Sequence, residues 1–212
     1  MKLHGYFRSS AAFRVRIALN LKGLSYEQVS IHLRKNEQRR PEFLKLQPQA
    51  LVPALEGDGG VFIQSLAIIE YLDETRPKPS LLPRTPAERA RVRALAQAVA
   101  CDIHPIDNLR VLRYLANPLG HDEKTVETWF NHWIKLGFDA LERLLDDPRT
   151  GKFCHGDVPG LADICLVPQV FNAQRYPSFD MAPYRRIRRI FDACMALDAF
   201  ERARPEKQPD AE

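Results

Sequence analysis

Apolar positions recur with two alternating periods over residues 1–82. Leu3 and Gly5 share one face of a candidate strand at 2–6. Phe13, Ile17 and Leu21 then share one face of a candidate helix over 10–22, widened by Val15, Ala18 and Leu19. Gly23 stands where a helix-ending glycine belongs. Val29, Ile31 and Leu33 alternate again, so 27–33 predicts a second strand and a βαβ unit with a right-handed crossover. Residues 34–48 are charged and irregular, with room for a short helix at 41–46. Candidate strands at 52–56 and 61–63 flank Gly57-Asp58-Gly59-Gly60, a hairpin signal. Gln64-Ser65 follows, with Ser65 as the expected N-cap of a helix reaching Thr75. The order β-α-β, then β-β-α, predicts a mixed four-stranded sheet with helices on its faces.

The pattern changes at Arg76-Pro77-Lys78-Pro79-Ser80-Leu81-Leu82-Pro83, a proline-rich linker extended by Pro86. Beyond it the apolar spacing is helical throughout. Val92, Leu95, Ala96, Val99 and Ile103 form one series; Val126, Trp129, Phe130, Trp133, Ile134, Leu141 and Leu144 form another. Asp146-Asp147-Pro148 interrupts, and further helices are expected at 161–173 and 183–197. The expected division is an α/β domain over 1–82 and an all-α domain over 87–212.

Composition narrows the class. With 212 residues, 45% hydrophobic and 27% charged, the chain supports a real core without disulfide or metal help. No apolar run approaches the roughly 20 residues that span a bilayer, and MKLHGYFRSS lacks the apolar core of a signal peptide. Cys101, Cys154, Cys165 and Cys194 show neither CxxC nor zinc spacing, so reduced thiols in a cytoplasmic protein are expected. The net charge of +4 is mild. Arg185-Arg186-Ile187-Arg188-Arg189 suggests nucleic acid, but a solvated helix face around Ile187 and Ile190 explains it without a recognised binding motif. A small anionic substrate suits the same field.

Candidate chemistry concentrates before helices. The loop Phe7-Arg8-Ser9-Ser10 feeds a helix N-terminus, whose free N–H groups and partial positive charge favour an anion. The plain alternative is that Ser9 or Ser10 only caps the helix. Val52-Pro53 precedes a strand and leaves neighbouring backbone groups free. Gln64-Ser65 is a second anion-binding candidate at a helix start. Trp129, Phe130 and Trp133 are expected in the core, and Cys154-His155 lacks metal partners at ligand spacing.

Taken together, these features resemble the cytosolic glutathione transferases. FRSSAAFRVRIALNLKG is similar to the zeta-class signature, an Arg-Ser-Ser-Cys pattern followed by Arg-Val-Arg-Ile-Ala-Leu. Gln64-Ser65-Leu-Ala-Ile-Ile-Glu70-Tyr-Leu, Cys101-Asp-Ile-His-Pro-Ile-Asp-Asn108-Leu-Arg110 and Leu166-Val-Pro-Gln169-Val also match the class. The resemblance runs the length of the chain. Two departures stand out: Ala11 replaces the class cysteine, which excludes any mechanism needing that thiol, and Gly160 replaces the usual Ser or Thr opening Gly160-Leu161-Ala162-Asp163.

The resemblance implies a thioredoxin-like N-terminal domain, a helical C-terminal domain, glutathione as cofactor and a homodimer, with no nucleic acid, membrane or metal partner. It assigns glutathione to Ser9, Ser10, Val52, Gln64, Ser65, Asp102, His104 and Asn108. His104 also precedes Pro105, where it marks a helix kink; both readings stand. It assigns substrate carboxylates to Arg8, Arg175 and Arg110, with a surface salt bridge as the plain alternative for Arg110. The implied activity is cis–trans isomerisation of maleylacetoacetate or maleylpyruvate in aromatic catabolism, by thiolate addition, bond rotation and elimination. Maleylacetoacetate, of tyrosine breakdown, is the commoner role in the class. The alternatives are conjugation of small electrophiles such as α-haloacids, and a non-catalytic glutathione-binding stress protein.

Overall fold

The computed structural model describes all 212 residues, which divide into two compact units: Met1–Leu81 with Met195–Glu212, and Leu82–Cys194.

The first unit is built on a four-stranded sheet of order β2-β1-β3-β4, with β1 at Lys2–Gly5, β2 at Glu27–Ser30, β3 at Ala54–Gly57 and β4 at Gly60–Ile63. β1 and β2 run parallel, joined through α1 (Ser10–Leu21); β3 is antiparallel to β1, and β4 to β3. α1 buries Phe13, Val15, Ile17, Ala18 and Leu19, and lies so close to β1 that a Cβ on Gly5 would meet the Ala12 Cβ at 3.2 Å. A short α2 (Pro41–Leu46) lies where expected, and α3 (Ser65–Thr75) buries Ile68, Ile69 and Leu72.

The differences from expectation lie at element ends. β2 is shorter than 27–33: Ile31 still donates to the Gly5 carbonyl at 2.7 Å, but His32 then caps a 3-10 turn at Leu33–Lys35. β3 begins at Ala54, because Pro53 has no N–H to give the ladder. The N-cap of α3 is Gln64, and Ser65 is its first helical residue. Lys22 is the C-cap of α1, and its buried ammonium donates at 2.8 Å to each of Asp73 Oδ1, the Arg76 carbonyl and the Pro79 carbonyl. Asp73 Oδ1 also accepts from the Leu81 N–H at 2.8 Å, so one buried ion pair ties α1, α3 and the proline-rich segment.

The second unit holds α4 (Pro86–Gln97), a π-helical segment at Ala98–Ile103, α5 (His104–Asp107), α6 (Leu109–Ala116), α7 (Glu123–Leu144), α8 (Leu161–Ala173) and most of α9 (Arg185–Met195). Val92, Leu95, Ala96, Val99 and Ile103 are all buried, as the spacing implies. The π segment leads directly into Pro105, which cannot donate to the Cys101 carbonyl and crowds it; a wider turn relieves both conflicts. Gly137 of α7 makes room for this segment, since a Cβ there would stand 2.3 Å from Ile103 Cδ1. Leu145 is buried where Leu144 was expected, and Leu144 is exposed. Gly160 is the N-cap of α8; Asp163 Oδ2 accepts from its N–H at 2.9 Å while Oδ1 accepts from the Cys154 N–H at 2.8 Å. Glycine has no side chain to return that bond, so half of a capping box is made.

One expectation is corrected at the domain level. The helical unit ends at Cys194, and Met195–Glu212 belongs to the first unit. This tail carries α10 (Asp198–Glu201), buries Phe200 and Ala203, and accepts from α1 side chains: Asn20 Nδ2 donates to the Ala199 carbonyl at 2.9 Å, Arg16 Nε to the Ala203 carbonyl at 3.0 Å. The expected helix at 183–197 is correspondingly shorter.

Candidate functional site

Sheet register brings the three candidate segments of the first unit to one end of the sheet. His4 pairs with Ala54, and Ala54 with Ile63. The exit of β1, the entry to β3 and the exit of β4 therefore lie side by side. These are the places occupied by Arg8-Ser9-Ser10, Val52-Pro53 and Gln64-Ser65.

At the first, Ser9 is the N-cap of α1, with Oγ accepting from the Ala12 N–H at 3.2 Å. The capping alternative is thus true of Ser9 as a matter of geometry, but an accepting hydroxyl still carries a proton to donate. Ser10 is buried in the first turn, and Arg8 is exposed with its guanidinium over the Phe7 ring, 5.2 Å from the centroid. Arg8 makes no ion pair within the chain.

At the second, the Val52-Pro53 peptide is cis. Val52 packs with Tyr6, Phe7, Phe43 and Ala54, while its N–H and carbonyl bond no other backbone group. At the third, Gln64 has φ +68 without being glycine, and its side chain makes no cap bond. Its Nε2 donates instead to Gln49 Oε1 at 2.9 Å. Ser65 is 6% exposed, and its Oγ accepts from Arg14 Nη1 at 3.3 Å. A strained backbone held by distant partners at a helix N-terminus is the kind of feature that marks ligand sites.

The sequence reading missed the partners. Arg14 and Arg16 lie inside an apolar helical run and are 2% and 1% exposed. Burial pushes the Arg16 guanidinium down to about 10, so it remains charged at neutral pH. Arginines two apart, both flanked by apolar residues, were the available signal.

The second-unit candidates are more varied. Asp102 is exposed and His104 opens α5 after the π segment. Asn108 caps α6, its Oδ1 accepting from the Val111 N–H at 3.3 Å. Arg110 is exposed and makes no ion pair within the chain, so the salt bridge offered as its plain alternative is not formed. Arg175 is exposed, and its Nη1 donates to Asn172 Oδ1 at 3.3 Å. Asn172 Nδ2 in turn donates to Asp107 Oδ1 at 3.3 Å, and Gln169 Nε2 to Asp107 Oδ2 at 2.9 Å. This buried Asp107 relay behind Arg175 was not anticipated.

Other sequence features resolve into structure. Trp129 and Trp133 are half-buried and meet edge to face at 5.6 Å, whereas Phe130 is fully buried as expected. Arg91 joins Cys154 and His155: Nη1 donates to the Cys154 carbonyl at 2.8 Å and lies 3.2 Å from His155 Nδ1. Burial pushes the Cys154 and Cys194 thiols well up, and Asp163 between them also rises through burial. All cysteines are free and lie in the second unit. Ile187 and Ile190 are buried and Arg186 pairs with Glu142 and Asp146, so the arginine run is a helix face. No helix is long and apolar enough to cross a membrane.

Comparison with known proteins bears on these observations. Residues 1–74 match the family model for the glutathione S-transferase N-terminal domain, and 134–193 that for the C-terminal domain. The chain is 51% identical over 212 residues to a maleylpyruvate isomerase from Ralstonia sp, covering 100% of both chains. It is similar to a holo structure of maleylpyruvate isomerase, described as a bacterial zeta-class glutathione S-transferase (TM-score 0.97, 51% identity, 100% of both chains). It is also similar to a maleylacetoacetate isomerase from Methylobacterium extorquens AM1 solved with malonate and glutathione bound (TM-score 0.96, 44% identity, 100% of both chains).

Proposed function

The chain belongs to the glutathione S-transferase family, among its zeta-class members, and from that premise we propose that it is a glutathione-dependent cis–trans isomerase of maleylpyruvate or maleylacetoacetate. The observation that carries this reading is Arg8: an exposed guanidinium without an intrachain ion pair, next to a hydroxyl at a helix N-terminus. That pairing suits a thiolate and a carboxylate side by side.

The residues present fit glutathione. The start of α3 offers N–H groups and the buried Ser65 hydroxyl to a carboxylate, with Gln64 beside it. Val52 offers a free backbone donor and acceptor to an extended peptide. Ser9 and Ser10 offer hydroxyls at the positive end of α1. Bound glutathione supplies a thiolate nucleophile that adds to the cis double bond and later leaves. The Ser9 hydroxyl would donate a hydrogen bond to that sulfur and so stabilise its anion. Lowering a thiol from about 8.5 by about two units takes roughly 2.7 kcal/mol of preferential anion stabilisation, within reach of one or two such donors and a helix terminus. On family resemblance, Arg8 and Arg175 are assigned to carboxylates of the diacid, and a cation near the developing enolate oxygen lowers the barrier. Arg110 serves as a further carboxylate partner. Asp102, His104 and Asn108 complete the glutathione assignments, on family resemblance. The same resemblance supports a cytoplasmic homodimer.

The test is the loss of maleylpyruvate absorbance with purified protein, with and without glutathione. Turnover that requires glutathione without consuming it, and that falls in Ser9→Ala and Arg175→Ala, is expected. Conjugation of a generic electrophile with no isomerisation would replace this reading by a transferase. Glutathione binding without either activity would leave a binding protein.

A further inference from the structure

The end of the tail lies against the loop that carries Arg8 and Ser9. Asp210 Oδ2 accepts from the Phe7 N–H at 3.1 Å and the Ser30 hydroxyl at 3.0 Å, and Oδ1 accepts from Gln28 Nε2 at 2.7 Å. The carbonyl of the same Phe7 accepts from Arg16 Nη2 at 3.0 Å, and Arg16 Nε donates to the Ala203 carbonyl at 3.0 Å. Phe7 is thus held at both its polar atoms by the tail, directly through Asp210 and by way of the buried Arg16. His32 Nε2, 2.6 Å from Glu212 Oε1, adds a second tie one strand away.

We propose that Asp210 is a positioning residue for the loop bearing Arg8 and Ser9, fixing the Phe7 backbone so that the guanidinium and the hydroxyl start from a rigid support. The proposal rests on the reading of that loop as part of the active site. Catalytic groups on loops need such support, because misplacement by about 1 Å costs on the order of 100-fold in rate. Hydrogen bonds to an ionised carboxylate are the strong kind. The role is positional and not electrostatic: a negative charge beside the loop opposes a thiolate and so has the wrong sign to assist directly.

Two substitutions separate position from charge. Asp210→Ala removes all of these acceptors. Asp210→Asn keeps the geometry: its Oδ1 accepts from Phe7 and Ser30, and its Nδ2 donates to Gln28 once that amide turns over. The first readout needs no substrate: hydrogen exchange of the Phe7 amide in the full chain. It should quicken by about 100-fold in Asp210→Ala and by less than about threefold in Asp210→Asn, since exchange follows the local opening equilibrium. The second is the pH profile of kcat/KM for maleylpyruvate. In Asp210→Ala kcat/KM should fall about 10-fold or more. Its acid limb should move to higher pH, because the thiol loses a well-placed donor. Asp210→Asn should restore both. Gln28→Ala, which leaves the Phe7 bond in place, should keep the limb where it is.

Unchanged exchange and an unmoved limb in Asp210→Ala overturn the proposal. So does an Asp210→Asn variant as impaired as Asp210→Ala, which would make charge the operative property. An equal shift in Gln28→Ala would assign the effect to tail docking in general and overturn it too. A wild-type protein with no glutathione-dependent turnover defeats the functional reading instead, and the exchange result then decides on its own whether Asp210 orders the loop.

Discussion

The two helix starts at the candidate site are held by opposite means. α1 closes on itself: Ser9 has an extended backbone, and its hydroxyl takes the N–H of Ala12 three residues on. α3 does not: Gln64 sits at φ +68 with no side-chain cap, and its surroundings are set by Gln49 and by Arg14 on Ser65, 15 and 51 positions away in sequence. A locally capped start forms wherever its own few residues occur. A strained start persists only where tertiary contacts over-determine it, at a cost of about 1–3 kcal/mol. Under the proposed function, this difference gives α1 the chemistry at that end of the sheet and α3 a preformed cradle.

The hardest way to break this contrast is from the far end of α1. Lys22→Met leaves Asp73 buried without its cation and frees the Arg76 and Pro79 carbonyls. Breaking a buried pair this way costs about 3–5 kcal/mol, which urea denaturation will show. A smaller loss would mean that α1 is anchored mainly by its apolar face.

Ser9→Ala tests the near end. It removes a cap worth about 1 kcal/mol, read by thermal melting, and a donor to the sulfur worth on the order of 100-fold in kcat/KM. A variant that melts lower yet turns over at the wild-type rate would reduce Ser9 to a cap.

Gln64→Gly sharpens the contrast at α3. Glycine tolerates the positive φ, so stability should hold or rise by up to about 1 kcal/mol. The KM for glutathione should nevertheless rise by about 10-fold, the worth of one neutral hydrogen bond. Opposite signs for stability and affinity are the signature of strain kept for a ligand; a matched fall in both would make Gln64 a structural residue.

The smallest effect is at α8, whose start lies between the two types. Gly160 is extended and accepts nothing through a side chain, while Asp163 still takes its N–H. Gly160→Ser completes the box and should stabilise by a few tenths of a kcal/mol, seen as a slight rise in melting temperature.

The same division separates what was legible from what was not. The helices at Pro41–Leu46, Ser65–Thr75 and Leu161–Ala173 fall where periodicity and punctuation placed them, because both act over a few residues. So does the hairpin, whereas the placement of Ser9, Val52 and Gln64 at one end of the sheet follows from the order and direction of the strands. Element ends were less legible, since His32, Lys22 and Gln64 take roles set by partners far along the chain. Arg14 and Arg16 were hidden because a hydropathy pattern treats arginine as surface, whereas Arg16 is buried with the Phe7 and Ala203 carbonyls as acceptors and Arg14 against the Ser65 hydroxyl.

From its sequence alone, then, this protein determined its strand and helix order, its hydroxyl-bearing helix starts and its zeta-class family. The first two rest on short-range spacing, capping and composition, and the family on the resemblance of its motifs. Only the tertiary structure decided that the last residues return to the first unit, that Asp210 and Arg16 hold Phe7, and that Asp107 stands behind Arg175. Such contacts join positions far apart in the chain and form only once folding has brought the groups together and removed water from between them, so no local pattern announces them.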